Sequence, residues 1–414
     1  MNPGIPMPAT HRLFWLLLLM LTLLGGCASM PLDDVRRDFL QGKPQAAIAV
    51  LDEQDSRRDK LLIHMEKGLI LHSLGEYEES AQEFLKAEKL MEELDVISVS
   101  EQAKTLVVNE WAAAYKGEYS ERLWVHTYQM MNYLLLGNYQ SAAVEARQAL
   151  DVIKTWGDPL QKDWFTQALI GLSFEGVGKY NDAFIEYRKL VEKLSDEEAV
   201  TALAPMLYWA ALRSSLAAEA AEYRERLPDS LKETDPDELG ELVLFVARGA
   251  IPQKVPGDVL IAPDIRFSFP HYPETLTLRP RFAIESVGEP VPVMEVSTLM
   301  GEVARDSLSA RAKKIYTKET ARVAFKQSLA HNLKKNNEAA GELLGILFLL
   351  MEEADTREWS TLPATLSLLR IPLKPGNHSI SLLAAEDYGN MREIFSIEDF
   401  DIKAGQRIYR KIRY

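Results

Sequence analysis

The feature that most constrains this 414-residue chain is a five-part pattern that occurs three times in its first half. The copies are Gly75, Tyr77, Ala81, Phe84 and Ala87; Gly137, Tyr139, Ala142, Ala146 and Ala149; and Gly178, Tyr180, Ala183, Tyr187 and Leu190. In each, an apolar helical stretch ends at the glycine, an aromatic follows two residues later, and a small residue at helical spacing opens a second helix. Glycine suits the end of the first helix because it enters the left-handed region without a Cβ clash. Alanines let two antiparallel helices approach closely, and the larger residues seal each pair against the next. The pattern predicts stacked helical hairpins.

These residues resemble tetratricopeptide (TPR) repeats. A weaker copy starts at Gly42, with Pro44, Ala47 and Leu51, 33 residues before Gly75. The following intervals of 62 and 41 residues are irregular, and the longer one has room for a degenerate hairpin across Ile97 to Ala114. Val200 to Arg226, rich in Ala and Leu, reads as a closing helical pair. The resemblance implies a curved array whose concave face is lined by the first helix of each hairpin. Leu62, Met65, Leu69 and His72 would come from one unit, Trp124, Thr127, Met131 and Leu134 from the next, and Phe165, Ala168 and Leu172 from the third. Such an apolar lining suits a protein partner or the chain's own second half.

From about Glu241 the hydrophobic period switches from helix to strand. LVLFVARG, IRFSFP, LRPRFAIES, VPVMEVSTL, LSLLRIPL, HSISLLAAED, REIFSIEDFDI and RIYRKIRY are runs rich in β-branched and aromatic residues, separated by turn residues. Eight such strands suggest a β-sandwich. Between the two sets lies a helical insertion at about 300–353, ending in the nine apolar residues Leu343 to Met351. Nine residues are too few to cross a bilayer, so this piece reads as a buried helix or an interfacial one. The expected fold class is α+β, with a TPR-like α-solenoid at 27–235 followed by a β-rich, sandwich-like domain at 236–414. Charge divides along the same line: Cys27 to Asp235 carries 37 acidic against 23 basic residues, and Pro236 to Tyr414 carries 24 against 23. This acidic balance argues against a nucleic-acid partner, which rewards clustered Lys and Arg.

The N-terminus has its own logic. Arg12 precedes a twelve-residue apolar stretch, Leu13 to Leu24, which leads into Gly25, Gly26 and Cys27. A charged start, a short apolar core and small residues describe a secretory signal. The ending resembles a bacterial lipoprotein box, which implies a signal peptide over 1–26 and acylation of Cys27, whose lipid would insert into a membrane. Ala28 is similar to the residue that follows the cysteine in lipoproteins sorted to the outer membrane, so the expected location is its periplasmic face. Cys27 is the only cysteine, which excludes disulfides and thiolate metal sites. Two further stretches, Tyr115 to Tyr139 and Ala354 to Ala364 continuing to His378, resemble a group of bacterial TPR lipoproteins whose function is not established.

Catalytic signatures are sparse. There is no G-x-S-x-G, Walker loop or dinucleotide fingerprint, and no two of the seven histidines share the i, i+4 spacing of a helical metal site. No cofactor or metal is therefore expected, and a small-molecule substrate is disfavoured. Asp355, Arg357 and Trp359 form the densest remaining cluster, which fits either a sugar or peptide site or a structural turn. Arg311, Lys313, Lys314, Lys318, Arg322 and Lys326 make a basic helix face suited to solvent, anionic lipid or wall polymer. The favoured expectation is a non-enzymatic, lipid-anchored adaptor holding an envelope protein. The alternatives are a regulator of cell-wall synthesis, or a wall- or lipid-acting enzyme with a deep polar cleft near Asp355, Arg357 and Trp359.

Overall fold

The computed structural model describes residues 32–101, 113–194, 197–262, 265–274, 279–286, 288–311, 354–385 and 390–414, with five separate positions between 328 and 335. The signal peptide, Cys27, most of Ile97 to Ala114, Leu343 to Met351 and the basic face beyond Arg311 lie outside the described residues or side chains.

The first half is a succession of antiparallel helical hairpins. Helices α1 (Leu32–Leu40) and α2 (Pro44–Asp52) form the pair expected at Gly42, followed by α3 (Lys60–Leu74) with α4 (Tyr77–Glu101). Helix α5 (Tyr119–Leu135) pairs with α6 (Tyr139–Trp156), and α7 (Trp164–Gly176) with α8 (Tyr180–Leu194). The closing pair is α9 (Glu197–Arg213) and α10 (Ala217–Glu225), followed by the short α11 (Asp229–Lys232). Gly75, Gly137 and Gly178 have φ of 88°, 71° and 72°. Each ends its helix with the same two bonds: its own N–H reaches the carbonyl three residues back, and the next N–H reaches the carbonyl five back. That is the left-handed cap that the glycine spacing predicts.

Ten strands follow. The first sheet has the order β10 (Arg407–Arg413), β1 (Gly240–Arg248), β7 (Thr365–Leu373), β6 (Met294–Leu299). The second has the order β5 (Glu289–Pro290), β4 (Phe282–Ser286), β8 (Gly376–Ala385), β9 (Met391–Ile402), and β2 (Val255–Ala262) with β3 (Ile265–His271) forms a separate ribbon. All eight expected runs contain strand; β2 and β5 are additional, lying in segments whose Pro and Gly mask the pattern. The chain end returns beside its middle, since β10 pairs with β1 in parallel while β7 pairs with it antiparallel. Of the helical insertion, residues 300–311 are described as a helix, α12, with Met300, Val303, Ala304 and Leu308 buried.

Side-chain alternation along β1 and β7 explains the layering. Leu242, Leu244, Val246, Leu369, Ile371 and Leu373 join Ile284, Ile380 and Leu382 of the second sheet in one apolar cluster. The opposite face, with Val243, Phe245, Leu366, Leu368 and Tyr409, belongs to the same cluster as the interior of the helices. The first sheet is therefore covered on both faces, and every residue of β7 is buried. Among the described residues, no helix is long and apolar enough to cross a membrane.

Candidate functional site at the seam of helices and sheet

The eleven residues expected to line a concave binding face are all buried, and none is more than 6% exposed. The chain's own first sheet occupies that face. Phe165 meets Phe245 edge to face at 6.4 Å, and its backbone N–H donates to Thr298 Oγ1 at 2.8 Å. Trp124 donates through Nε1 to Asp163, which also accepts from Thr298 at 3.1 Å. Lys411 of β10 donates to the carbonyl of Ser73, beside His72. The expectation of a partner held by Leu62, Met65, Leu69, His72, Trp124, Thr127, Met131, Leu134, Phe165, Ala168 and Leu172 is thus corrected. The apolar stripe is filled intramolecularly, because an exposed face of this size is unfavourable when a complementary sheet lies on the same chain.

The cluster at Asp355 is corrected in the same way. Trp359 is 0% exposed and packs against Phe84 and Tyr128, with ring centroids 5.6 Å away in both cases. Arg357 is gripped by both oxygens of Asp355 at 2.8 Å and donates to Asp59 of α3's N-terminus, also at 2.8 Å. The three residues form a clamp between the strand-rich half and the first repeat, where a deep polar cleft would require them to be open.

Buried glutamates complete the clamp. Glu66, on α3, accepts from the N–H and hydroxyl groups of both Ser360 and Thr361. Glu121, on α5, accepts from the Trp359 N–H at 2.8 Å and the Tyr115 hydroxyl at 2.6 Å. Glu118 accepts from Lys254 at 2.7 Å and pairs with Arg311 at 2.9 Å. Burial raises the Glu118 carboxyl, but these two cations outweigh it and hold the group at about 2.

At the other end of the seam a similar network borders open space. Arg370 of β7 is 1% exposed and makes four bonds of 2.6–3.0 Å to Glu175 of α7 and Glu241 of β1. Arg407 reaches the same two carboxylates, and the Tyr187 hydroxyl donates to Glu175 at 2.5 Å. Burial pushes the Glu175 carboxyl up, but Arg370 and Arg407 reverse this and hold it well below the usual range. Beside this network lies a cavity of about 300 Å³, lined by Tyr139, Tyr180, Trp209, Arg213, Gln406 and Arg407 together with both glutamates. Arg213 sits 5.5 Å over the Tyr180 ring and pairs with Asp237 at 2.5 Å. That volume is at the lower end for a ligand pocket. Its aromatic faces and fixed guanidinium groups can stack on and hydrogen-bond a planar or polar chain segment.

The sequence pattern passed over these polar residues because they do not follow an apolar period. A separate polar set, within the hairpins, does carry a periodic signal: Glu83, Glu145 and Glu186 each lie eight residues after a capping glycine, and His64, His126 and Gln167 each lie eleven before it.

No family model matches the chain, and no curated protein does. Among solved structures, similarity is found to MamA. The protein titled "MamA 41-end from Desulfovibrio magneticus RS-1" is 17% identical, covering 46% of this chain and 88% of that one with a TM-score of 0.32. A second, "Crystal structure of MamA", is 11% identical over 46% of this chain and 91% of that one, with a TM-score of 0.33. The class assigned here, a TPR-like array closed by its own sheet, stands on the repeated hairpins and their caps.

Proposed function

We propose that this protein is a non-enzymatic adaptor of the bacterial envelope, anchored through acylated Cys27 at the periplasmic face of the outer membrane. Its β-rich half, two sheets in a sandwich-like pair, acts as the plug of the repeat array. The observation that carries the proposal is the division of surfaces at the seam. The concave face is used internally, while the cavity beside Arg407 is open and presents Tyr139, Tyr180, Trp209 and Arg213. Tyr, Trp and Arg are the residue types that anchor protein–protein contacts. An extended segment of an envelope protein, entering with an aromatic or acidic side chain, suits that lining. The lipoprotein-like sequence around Cys27 supports the anchorage, since a multiply acylated cysteine holds a chain stably at a membrane.

The test is crosslinking in intact cells, comparing the wild type with Tyr180→Ala and Arg213→Ala after confirming unchanged thermal midpoints. A reproducible envelope partner that is lost in both variants supports the pocket. A partner retained equally by both variants overturns the pocket, and no reproducible partner overturns the adaptor. Cys27→Ser should move the protein to the soluble periplasmic fraction; unchanged membrane association would remove the anchor from the proposal.

A further inference from the structure

The repeats contain their own internal comparison. In each of three hairpins, the residue eleven before the capping glycine bonds the glutamate eight after it. The pairs are His64–Glu83 at 2.6 Å, His126–Glu145 at 2.8 Å and Gln167–Glu186 at 2.5 Å. In the first and third hairpins a lysine one turn further on, Lys86 or Lys189, also pairs with that glutamate, at 2.6 and 2.8 Å. In the second hairpin the corresponding residue is Gln148, and what approaches instead is another carboxylate, Glu88 of α4. One ligand atom each from Glu88, His126 and Glu145 lie within 4.8 Å of one another. His126 and Glu145 are buried while Glu88 is half-buried, which gives the cluster a solvent-facing side.

A fourth polar side chain borders the cluster. Gln129, one turn beyond His126, is 0% exposed, and its amide nitrogen contacts Glu145 Oε2 at 3.4 Å. Its oxygen, Oε1, is buried with no hydrogen-bond partner. Two carboxylates beside one imidazole, without the lysine found in the neighbouring hairpins, make a position that a cation would relieve.

We infer that Glu88, His126 and Glu145, with Gln129 beside them, form a binding site for one divalent transition-metal ion of the zinc class. An imidazole with carboxylate oxygens selects zinc and its first-row neighbours over calcium and magnesium. Donors at about 2.0–2.2 Å from such an ion must draw together by roughly an ångström, and rotation of the half-buried Glu88 side chain supplies that movement. The ion would tie α4, α5 and α6 together where lysines serve in the neighbouring hairpins. This site does not depend on the adaptor reading.

The test uses the full chain carrying Cys27→Ser, so that no thiolate competes, stripped of metal and titrated with zinc alone by calorimetry. The expected result is one zinc per chain with a raised thermal midpoint. Glu88→Gln should weaken binding at least about 100-fold, since outer-shell changes alone cost about 10–100-fold. Gln148→Lys supplies at an exposed position the lysine found in the other two hairpins, and should weaken zinc similarly while leaving the apo-protein folded and no less stable. His64→Gln, in the equivalent first pair, should not alter zinc binding. No binding at 100 micromolar zinc, on the order of a weak site, would overturn the inference. So would equal affinity in the wild type, Glu88→Gln and Gln148→Lys.

Discussion

His72 shows how far a single side chain in this protein departs from its solution behaviour. It lies in the last turn of α3 at 6% exposure, its Nδ1 is 2.6 Å from Asn132 Oδ1, and its ring stands edge to face with Tyr128 at 5.1 Å. Asn132 in turn donates to Ser80, which donates to the Gly68 carbonyl, so one polar thread crosses α3, α4 and α5. Burial lowers the His72 pKa to about 3; the Asn132 bond opposes this, and Lys411 and Arg413 add to it. In the unfolded chain the imidazole titrates near ~6.5. The folded state therefore refuses a proton that the unfolded state accepts. This contribution to stability is full above about pH 6.5 and is lost as pH falls from there toward about 3. Between pH 7 and pH 5 the loss is about 2 kcal/mol. Urea unfolding at both values should show His72→Gln losing about that much less than the wild type. Equal losses would mean that His72 accepts its proton without unfolding.

At the scale of the elements, the hairpins exchange volume between their two helices. A Cβ on Gly68 would lie 2.5 Å from the Phe84 ring, and one on Gly171 would lie 2.3 Å from the Tyr187 ring. Gly68 and Gly171 lie seven residues before their capping glycines, and the aromatics nine after; in the second hairpin these positions hold Met130 and Ala146. Large faces small in all three, with the order reversed in the middle one. Replacing glycine by alanine within a helix gains about 1 kcal/mol of propensity, whereas overpacking costs about 1–3 kcal/mol. Phe84 has no polar tether and can give way, but the Tyr187 hydroxyl is held by Glu175 and Arg370. Gly171→Ala is therefore expected to destabilise by up to about 2 kcal/mol net and Gly68→Ala by less. Denaturant midpoints of the two variants check this, and a reversed order would sink it. The caps, the aromatic sites and the strand runs were legible in the sequence because they follow backbone geometry and period. What covers the concave face was not, since Leu62 or Phe165 looks the same whether a partner or a sheet of the same chain buries it. Trp359 was ambiguous for a related reason: an indole between charged residues suits a binding site or a clamp, and only its contacts with Phe84 and Tyr128 decide. The Glu88 cluster was missed because its donors come from three helices, whereas a spacing rule sees one.

The whole molecule is held by what crosses between its two halves. One continuous apolar cluster runs from Val35 and Phe39 through the repeats to Phe245, Leu368 and Tyr409. Polar bonds brace it at both ends. Arg36 of α1 donates to the carbonyls of Ile251 and Ser360, while Arg413 of β10 donates to the Thr361 carbonyl and lies 4.6 Å over Phe39. At the far end Arg370 joins α7 to β1 and β7. Separating the halves would expose the apolar inner faces of α3, α5 and α7 and take from Glu66, Glu121 and Glu175 the donors that reach them from the strand-rich half. Neither half then has a complete core, and the full chain should unfold in one calorimetric transition whose van't Hoff and measured enthalpies agree. Arg370→Ala sharpens the test, because it leaves Glu175 and Glu241 short of a charge partner at a cost of about 3–5 kcal/mol. If the halves are coupled, that variant lowers the whole transition, and the helical circular-dichroism signal and the tryptophan fluorescence shift together. Two resolved transitions, with only one moved by Arg370→Ala, would show instead that the repeat array stands without its sheet. The concave face would then be free to open, and the seam would be a latch.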